Sequence, residues 1–226
     1  MIRRAATAPS LRSPIGRFGD AFRDPPLGAP GAAGNRPVLA KSGIDPAMIE
    51  DVEFAPSCAN SETPRTRSWL ALQAGLPVAV RGQQSDRRCV AGLDSIATTA
   101  LMVQSAACDV GLAGGIENMR RIGYYSTVMR RGTCAGSTRC YDRLDRGREL
   151  SLPVERRCII SCMAETEEKP ARNDAIARSD CDAFALASHQ KFDAAREEGR
   201  VAVSQDFLGP GARSAASKMT KEYARR

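Results

Sequence analysis

The chain has 226 residues, 42% of them hydrophobic and 5% aromatic, with a net charge of +7. That length supports one large domain, or one domain with a subdomain, and the composition excludes wholesale disorder. No apolar run approaches the ~18 residues of a membrane-crossing helix, so no membrane partner is expected.

The 33 Lys and Arg are offset by 26 Asp and Glu, scattered along the chain. A basic excess suits an anionic partner such as nucleic acid, acidic lipid or a nucleotide-bearing cofactor. There is no aromatic-interleaved basic patch or known motif, so a solvated surface is the simpler reading and nucleic acid is not expected. The eight cysteines are Cys58, Cys89, Cys108, Cys134, Cys140, Cys158, Cys162 and Cys181, and none forms a C-x-x-C pair. With His189 as the only imidazole, no zinc-type ligand set is expected and no metal is predicted. No secretory apolar segment precedes them, which favours reduced thiols in a cytoplasmic protein.

Met1 to Ser13 reads either as an Arg- and Ala-rich transit-like leader or as a weak first strand. Ser13 to Gly19 predicts a Pro/Gly turn with Phe18 buried. The breakers from Pro25 to Gly34 predict a loop or a disordered span. Ser42-Gly43 ends a helix, and Asp45-Pro46 opens a short one with Asp45 as cap. A strand is predicted over Val52 to Ala55, a helix over Thr66 to Ala74 and a short strand over Pro77 to Val80. A helix runs from Cys89 to about Ala107, and a strand from Asp109 leads into the Gly114-Gly115 pair, which permits either a tight turn or close approach to a ligand. Strand, helix and strand in this order predict an α/β layered fold with a parallel sheet.

Glu117 to Arg157 reads as a long excursion rather than core. A helix from Cys158 is expected to stop at Pro170. The clearest helix opens at Ser179, its expected cap, and stops at Gly199, with Phe184 and Ala187 on one face.

Cys89 is the candidate reactive residue. It follows a polar loop and opens an apolar-periodic run, Leu93, Ile96, Ala97, Ala100 and Leu101, whose spacing predicts the buried face of an amphipathic helix. A helix start favours the thiolate through its unpaired N–H groups and dipole, and Arg87 and Arg88 add positive charge. The competing reading is a small structural cysteine. His189 sits in the middle of its helix, where a structural role is the simpler reading; a Cys89–His189 dyad stays open without local support.

Four ordered segments resemble the thiolase family, the acetyl-CoA acetyltransferases. Arg12 to Gly19 is similar to R-T-P-I-G-R-F-G, and Arg87 to Leu93 to the nucleophile segment N-R-x-C-x-S-G-L. Ala113 to Met119 is similar to A-G-G-x-E-x-M-S, and Asp182 to Gln190 to the helix D-x-F-A-L-x-S-H-Q. Asp86 stands where the family has Asn, Ala91 and Arg120 where it has Ser, and Pro25 to Pro37 occupies its first helix. The family's second half, with its G-H-P, N-E-A-F and C-x-G-G-G segments, has no counterpart in this chain.

The resemblance implies a thiolase-like α/β layered fold, the N-terminal half only, with a loop subdomain. The expected division is 1–118 for the α/β region, 119–200 for the loop subdomain and returning helix, and 201–226 for a divergent tail. It further implies acyl transfer between thioesters through an acyl-Cys89 intermediate, with the Cys89 N–H as one oxyanion donor. Coenzyme A thioester would be the substrate, with no permanently bound cofactor, and arginines of the loop subdomain would meet its phosphates. The implied partner is a second copy or a complementary thiolase half. The alternative is an incomplete half that at most binds coenzyme A or a partner subunit.

Overall fold

Three short parallel strands organise the first part of the molecule. The computed structural model describes residues 3–8, 10–13, 28–59, 65–150, 153, 155 and 163–200. They fall into two units, one built on Met1–Ile122 and one on Gly123–Ala202. In the first, β1 (Asp51–Ala55) lies between β2 (Arg81–Gln83) and β3 (Gly111–Gly115), parallel to both. Asp51 stands opposite Arg81 on one side and Gly111 on the other. Parallel neighbours need crossover connections. They are made through α2 (Thr66–Gln73) and α3 (Ala91–Gln104), while α1 (Gly28–Ser42) packs on α2. The expected α/β layering with a parallel sheet is borne out.

Strand alternation gives this sheet two unlike faces. Val52, Phe54 and Leu112 join Leu39 of α1 and Leu70 and Ala71 of α2 in the apolar core. Each fully buried Val, Leu or Phe side chain among them contributes about 1.5–3 kcal/mol. The opposite face carries Asp51, Glu53 and Ala55 beside Gly111, Ala113 and Gly115, and α3 packs there.

Several local expectations are corrected. The breaker-rich span holds a helix from Gly28 onward rather than a loop. Pro30 falls in its first turn, where the missing N–H has no intrahelical acceptor in any case. Pro37 does remove a helical bond, but Leu39 is buried beyond it and the Arg36 guanidinium donates to the Gln73 carbonyl at 2.7 Å, tying α1 to α2. The strand expected at Pro77 to Val80 is a turn, closed by Val80 N–H to Pro77 O, and pairing begins at Arg81 N–H to Glu50 O. Register with β1, rather than β propensity, places the strand. Of the two readings open for the glycine pair, the tight turn is not taken, and Gly114 and Gly115 belong to β3.

The second unit turns the expected excursion into local structure. β4 (Tyr124–Tyr125) pairs antiparallel with β5 (Tyr141–Asp142), followed by α4 (Arg143–Glu149), α5 (Met163–Asn173) and α6 (Arg178–Glu197). The Tyr125 and Tyr141 ring centroids are 5.9 Å apart, and the Arg146 guanidinium carbon lies 3.7 Å from the Tyr141 ring centroid. α5 continues through Pro170, whose carbonyl still accepts from Asp174 N–H at 2.8 Å, so the expected stop moves to Asn173. α6 is capped at Ala177 without a side-chain bond, not at Ser179, and it is held by Arg178 to Asp182 at 2.8 Å. Its last turn gives way to Gly199 at φ +70°, the stop expected there.

The weak first strand, one of the two readings open for Met1 to Ser13, does not form in residues 3–8 or 10–13. The Phe18 turn, Cys158, Cys162 and the tail from 201 lie outside the described residues.

Candidate active site

Cys89 is exposed in a 3₁₀ turn, Arg88–Val90, that leads directly into α3. The first bonded donors of this turn are Val90 N–H, to Arg87 O, and Ala91 N–H, to Arg88 O. The Cys89 N–H precedes both, in the position where helix-start donors are left for another acceptor. Arg88 adopts φ +51°, a left-handed conformation that costs a non-glycine residue about 1–3 kcal/mol. Its guanidinium donates to the Ser57 carbonyl at 3.3 Å and lies 3.9 Å from the Asp86 carboxylate. The Arg87 guanidinium meets Asp94 in the first turn of α3 at 2.5 Å. Both arginines, expected to serve the thiol, are engaged by acidic and carbonyl oxygens instead.

Because the three strands are parallel, the loops that follow them converge at one edge, where α/β sheets place their ligands. The loop after β1 brings Ser57 and Cys58, the loop after β2 brings Ser85 and the Asp86–Arg88 segment, and the loop after β3 brings Glu117 and Asn118. Glu117 ties two of them, its carboxylate accepting from Cys58 N–H and from Asn118 N–H, each at 2.9 Å. Glu53 ties β1 to the segment ahead of Cys89. Its fully buried carboxylate accepts from Gln83 Nε2 at 2.6 Å and from Ser85 Oγ at 3.0 Å. Glu53, Cys58 and Ser85 carry no motif of their own; the one signal in the residue pattern is a carboxylate within the apolar strand Val52 to Ala55.

The small residues of β3 and α3 set the height of the site. Ser95 Oγ donates within its own turn and toward Gly114 O, at 2.9 and 3.0 Å from the Gly92 and Gly114 carbonyls. A Cβ on Gly115 would stand 3.2 Å from the Gly92 Cα, and one on Gly114 only 2.8 Å from the Phe54 ring. The glycine pair therefore admits α3 on one face and the Phe54 ring on the other. Gly115→Val is expected to lower stability by about 1–3 kcal/mol, as overpacking against backbone does. A denaturant midpoint unchanged within error would contradict this packing.

The buried face of α3 is the reverse of the one expected. Ala91, Ser95 and Thr99 are buried, while Leu93 and Leu101 are 65% and 63% exposed and Ile96 44%. The sheet face beneath α3 offers two glycines, two alanines and two carboxylates, so only short side chains permit the approach.

The described cysteines differ sharply. Cys108 is buried, and desolvation, followed by the nearby Asp51 and Glu50 charges, pushes its thiol above the usual range. At pH 8 and under native conditions, iodoacetamide is expected to modify Cys89 at least tenfold faster than Cys108, read by peptide mapping; comparable rates would contradict the assigned burial. His189 is exposed on α6 in the second unit, and the first unit, Met1–Ile122, contains no histidine. Among the described residues no cluster of three potential metal ligands occurs, and no helix is long and apolar enough to cross a membrane. Two surface grooves run along α1 and the turn before β2, and Cys89 lines neither.

The parallel sheet and its helices define a layered α/β protein, with an exposed cysteine at a strand-to-helix turn on the carboxyl edge of the sheet. The chain belongs to the thiolase family: the model of the thiolase N-terminal domain matches residues 6–203. It is 31% identical to the beta-ketoadipyl-CoA thiolase of Escherichia coli over 89% of this chain and 50% of that protein. It is 27% identical to the peroxisomal 3-ketoacyl-CoA thiolase of Encephalitozoon cuniculi, over 84% and 44% respectively. Among solved structures, the acetyl-CoA acetyltransferase of Bacillus anthracis superimposes with a TM-score of 0.79 at 26% identity, covering 88% of this chain and 49% of that one. The chain spans about half the length of the curated relatives it matches.

Proposed function

We propose that this chain is the nucleophile-bearing half of an acyl-CoA acyltransferase, working on coenzyme A thioesters in the cytoplasm, in fatty acid or related acyl metabolism. The observation that carries the reading is the exposed Cys89 at the strand-to-helix turn of a thiolase N-terminal fold. The Cys89 thiolate attacks the thioester carbonyl and forms a tetrahedral oxyanion, for which the Cys89 N–H is one donor. Its collapse forms the acyl–Sγ bond and breaks the bond to coenzyme A, which leaves as a thiolate and takes up a proton. A second thiol or an acetyl-CoA carbanion then accepts the acyl group. We assign residues 1–118 to this chemistry and 119–200 to covering coenzyme A, its arginines facing the phosphates.

The half-length match and the absence of any histidine from the first unit favour a second reading within the first: the chain takes or binds the acyl-CoA but needs a complementary half, or a partner copy, for the proton transfers of turnover. Incubation with acetyl-CoA, followed by intact-mass measurement and peptide mapping, tests both. One acetyl group on Cys89, with turnover only after a complementary half is added, is the expected result. No adduct, or an adduct confined to Cys58, would sink the nucleophile assignment.

A further inference from the structure

A second polar cluster lies at the amino edge of the sheet, the edge opposite Cys89. There Asp51 opens β1, Gly111 opens β3 beside it, and Thr99 reaches them from the buried face of α3. Gly111 sets the spacing: a Cβ on it would stand 2.4 Å from the Thr99 Cγ2 and 3.8 Å from the Cys108 Sγ. Asp51 and Thr99 are only 7% and 8% exposed, yet among the described residues Asp51 Oδ1 and Thr99 Oγ1 have no hydrogen-bond partner. The Arg81 guanidinium serves other atoms. Its Nε lies 3.6 Å from the second carboxylate oxygen, Asp51 Oδ2, and its Nη2 donates to the Ala107 carbonyl at 2.9 Å. Buried oxygens left unmatched are costly, and such atoms point to a ligand.

We propose that Asp51 Oδ1 and Thr99 Oγ1 are two ligands of a buried monovalent cation, sodium or potassium, at the amino edge of the sheet. Both atoms are oxygens, the donors that hard cations take. The surrounding charge fits one positive ion. The carboxylates of Asp51, Glu50 and Asp109 gather around Cys108, against the guanidiniums of Arg81 and of Arg3, which pairs with Asp109. Three negative groups against two positive ones leave one charge to balance. Desolvation and these carboxylates push the Cys108 thiol up, so it stays neutral and adds no charge of its own. A divalent ion is the poorer occupant, because it takes six or more oxygens, and no cluster of three carboxylate, thiol or imidazole ligands occurs among the described residues. A water molecule would bridge the two oxygens but leave the charge unbalanced. The ion fastens the far part of α3 to β1, and α3 is the helix whose first turn follows Cys89. This site is independent of the acyl-transfer reading.

The test follows heat unfolding of the full chain, desalted and then returned to sodium, potassium or tetramethylammonium chloride at equal ionic strength, which holds the screening of surface charge constant. Sodium or potassium is expected to raise the melting temperature by about 3–6 °C over tetramethylammonium, saturating with concentration. Thr99→Val keeps the side-chain shape and removes the oxygen, and Asp51→Asn removes the charge; the increment should vanish in both. Thr99→Ser, which keeps the hydroxyl, and Asp180→Asn, an exposed carboxylate on α6, should retain it. Crystals of the unsubstituted chain soaked in rubidium chloride give a readout that no variant can spoil: an anomalous peak between Asp51 Oδ1 and Thr99 Oγ1 is expected. Equal melting temperatures in the three salts, an increment that survives Thr99→Val or Asp51→Asn, or a water between the two oxygens with no anomalous signal would each overturn the proposal.

Discussion

A Cys89→Ala chain is expected to take up no acetyl group from acetyl-CoA, while Cys58→Ala and Cys108→Ala chains still do. The effect is all-or-none because alanine leaves no atom to form the thioester, whereas neighbouring backbone donors are untouched. Stability should change by no more than about 0.5 kcal/mol, since Cys89 is exposed and surface changes of this kind are nearly neutral. That separation makes the outcome interpretable: a loss of adduct with an unchanged melting temperature belongs to the chemistry and not to the fold. A Cys89→Ser variant should also give no appreciable adduct in the isolated chain, because a hydroxyl needs a base to be activated, and the first unit offers no histidine. Retention of the adduct in Cys89→Ala would move the nucleophile elsewhere, with Cys58 at the same sheet edge the first place to look.

Glu53→Ala should have the larger effect on stability. The carboxylate is fully buried on the α3 face of the sheet, and both oxygens accept hydrogen bonds from the segment that leads to Cys89. Hydrogen bonds to a charged group contribute about 1.5–3 kcal/mol each, and the truncation strips Gln83 and Ser85 of their acceptor together. A net loss of about 3 kcal/mol is expected, a fall in melting temperature of roughly 10 °C for a unit of this size. Because Ser85 stands four residues before Cys89, the variant should also be acylated more slowly at temperatures where it remains folded. Glu53→Gln keeps the shape and one acceptor oxygen, and should lose less than half as much stability. Thermal denaturation with parallel acylation rates checks both. A Glu53→Ala chain as stable as the parent would mean that the β2 segment is held by other contacts.

Much of the first unit was legible from residue pattern. The cap Asp45 accepts from Ala47 N–H at 2.9 Å where its side chain was expected to, and the strand over Val52 to Ala55 and the helix from Thr66 appear within a residue or two of their expected limits. Local rules suffice there because caps, glycine stops and periodicity act over a single turn. They failed where packing between elements decides. The helix through Pro37 survives because α1 is anchored to α2, and β2 begins at Arg81 because the β1 ladder runs there. The bonds of Glu53 to Gln83 and Ser85 and of Glu117 to Cys58 could not be read from local pattern, since those partners lie 30 to 59 residues away in sequence.

Cys89 and α3 divide the two sources of information most clearly. From the sequence alone came the helix that starts beside Cys89, the parallel layering around it and the thiolase segments on either side. Each is recorded in short stretches of residues whose geometry depends on near neighbours. Only the tertiary structure decided which face of that helix is buried. Its apolar stripe has the period of a core-facing surface, and periodicity cannot tell a core from a partner. The glycines of β3, one strand away, leave room only for Ala91, Ser95 and Thr99, and so turn Leu93 and Leu101 outward.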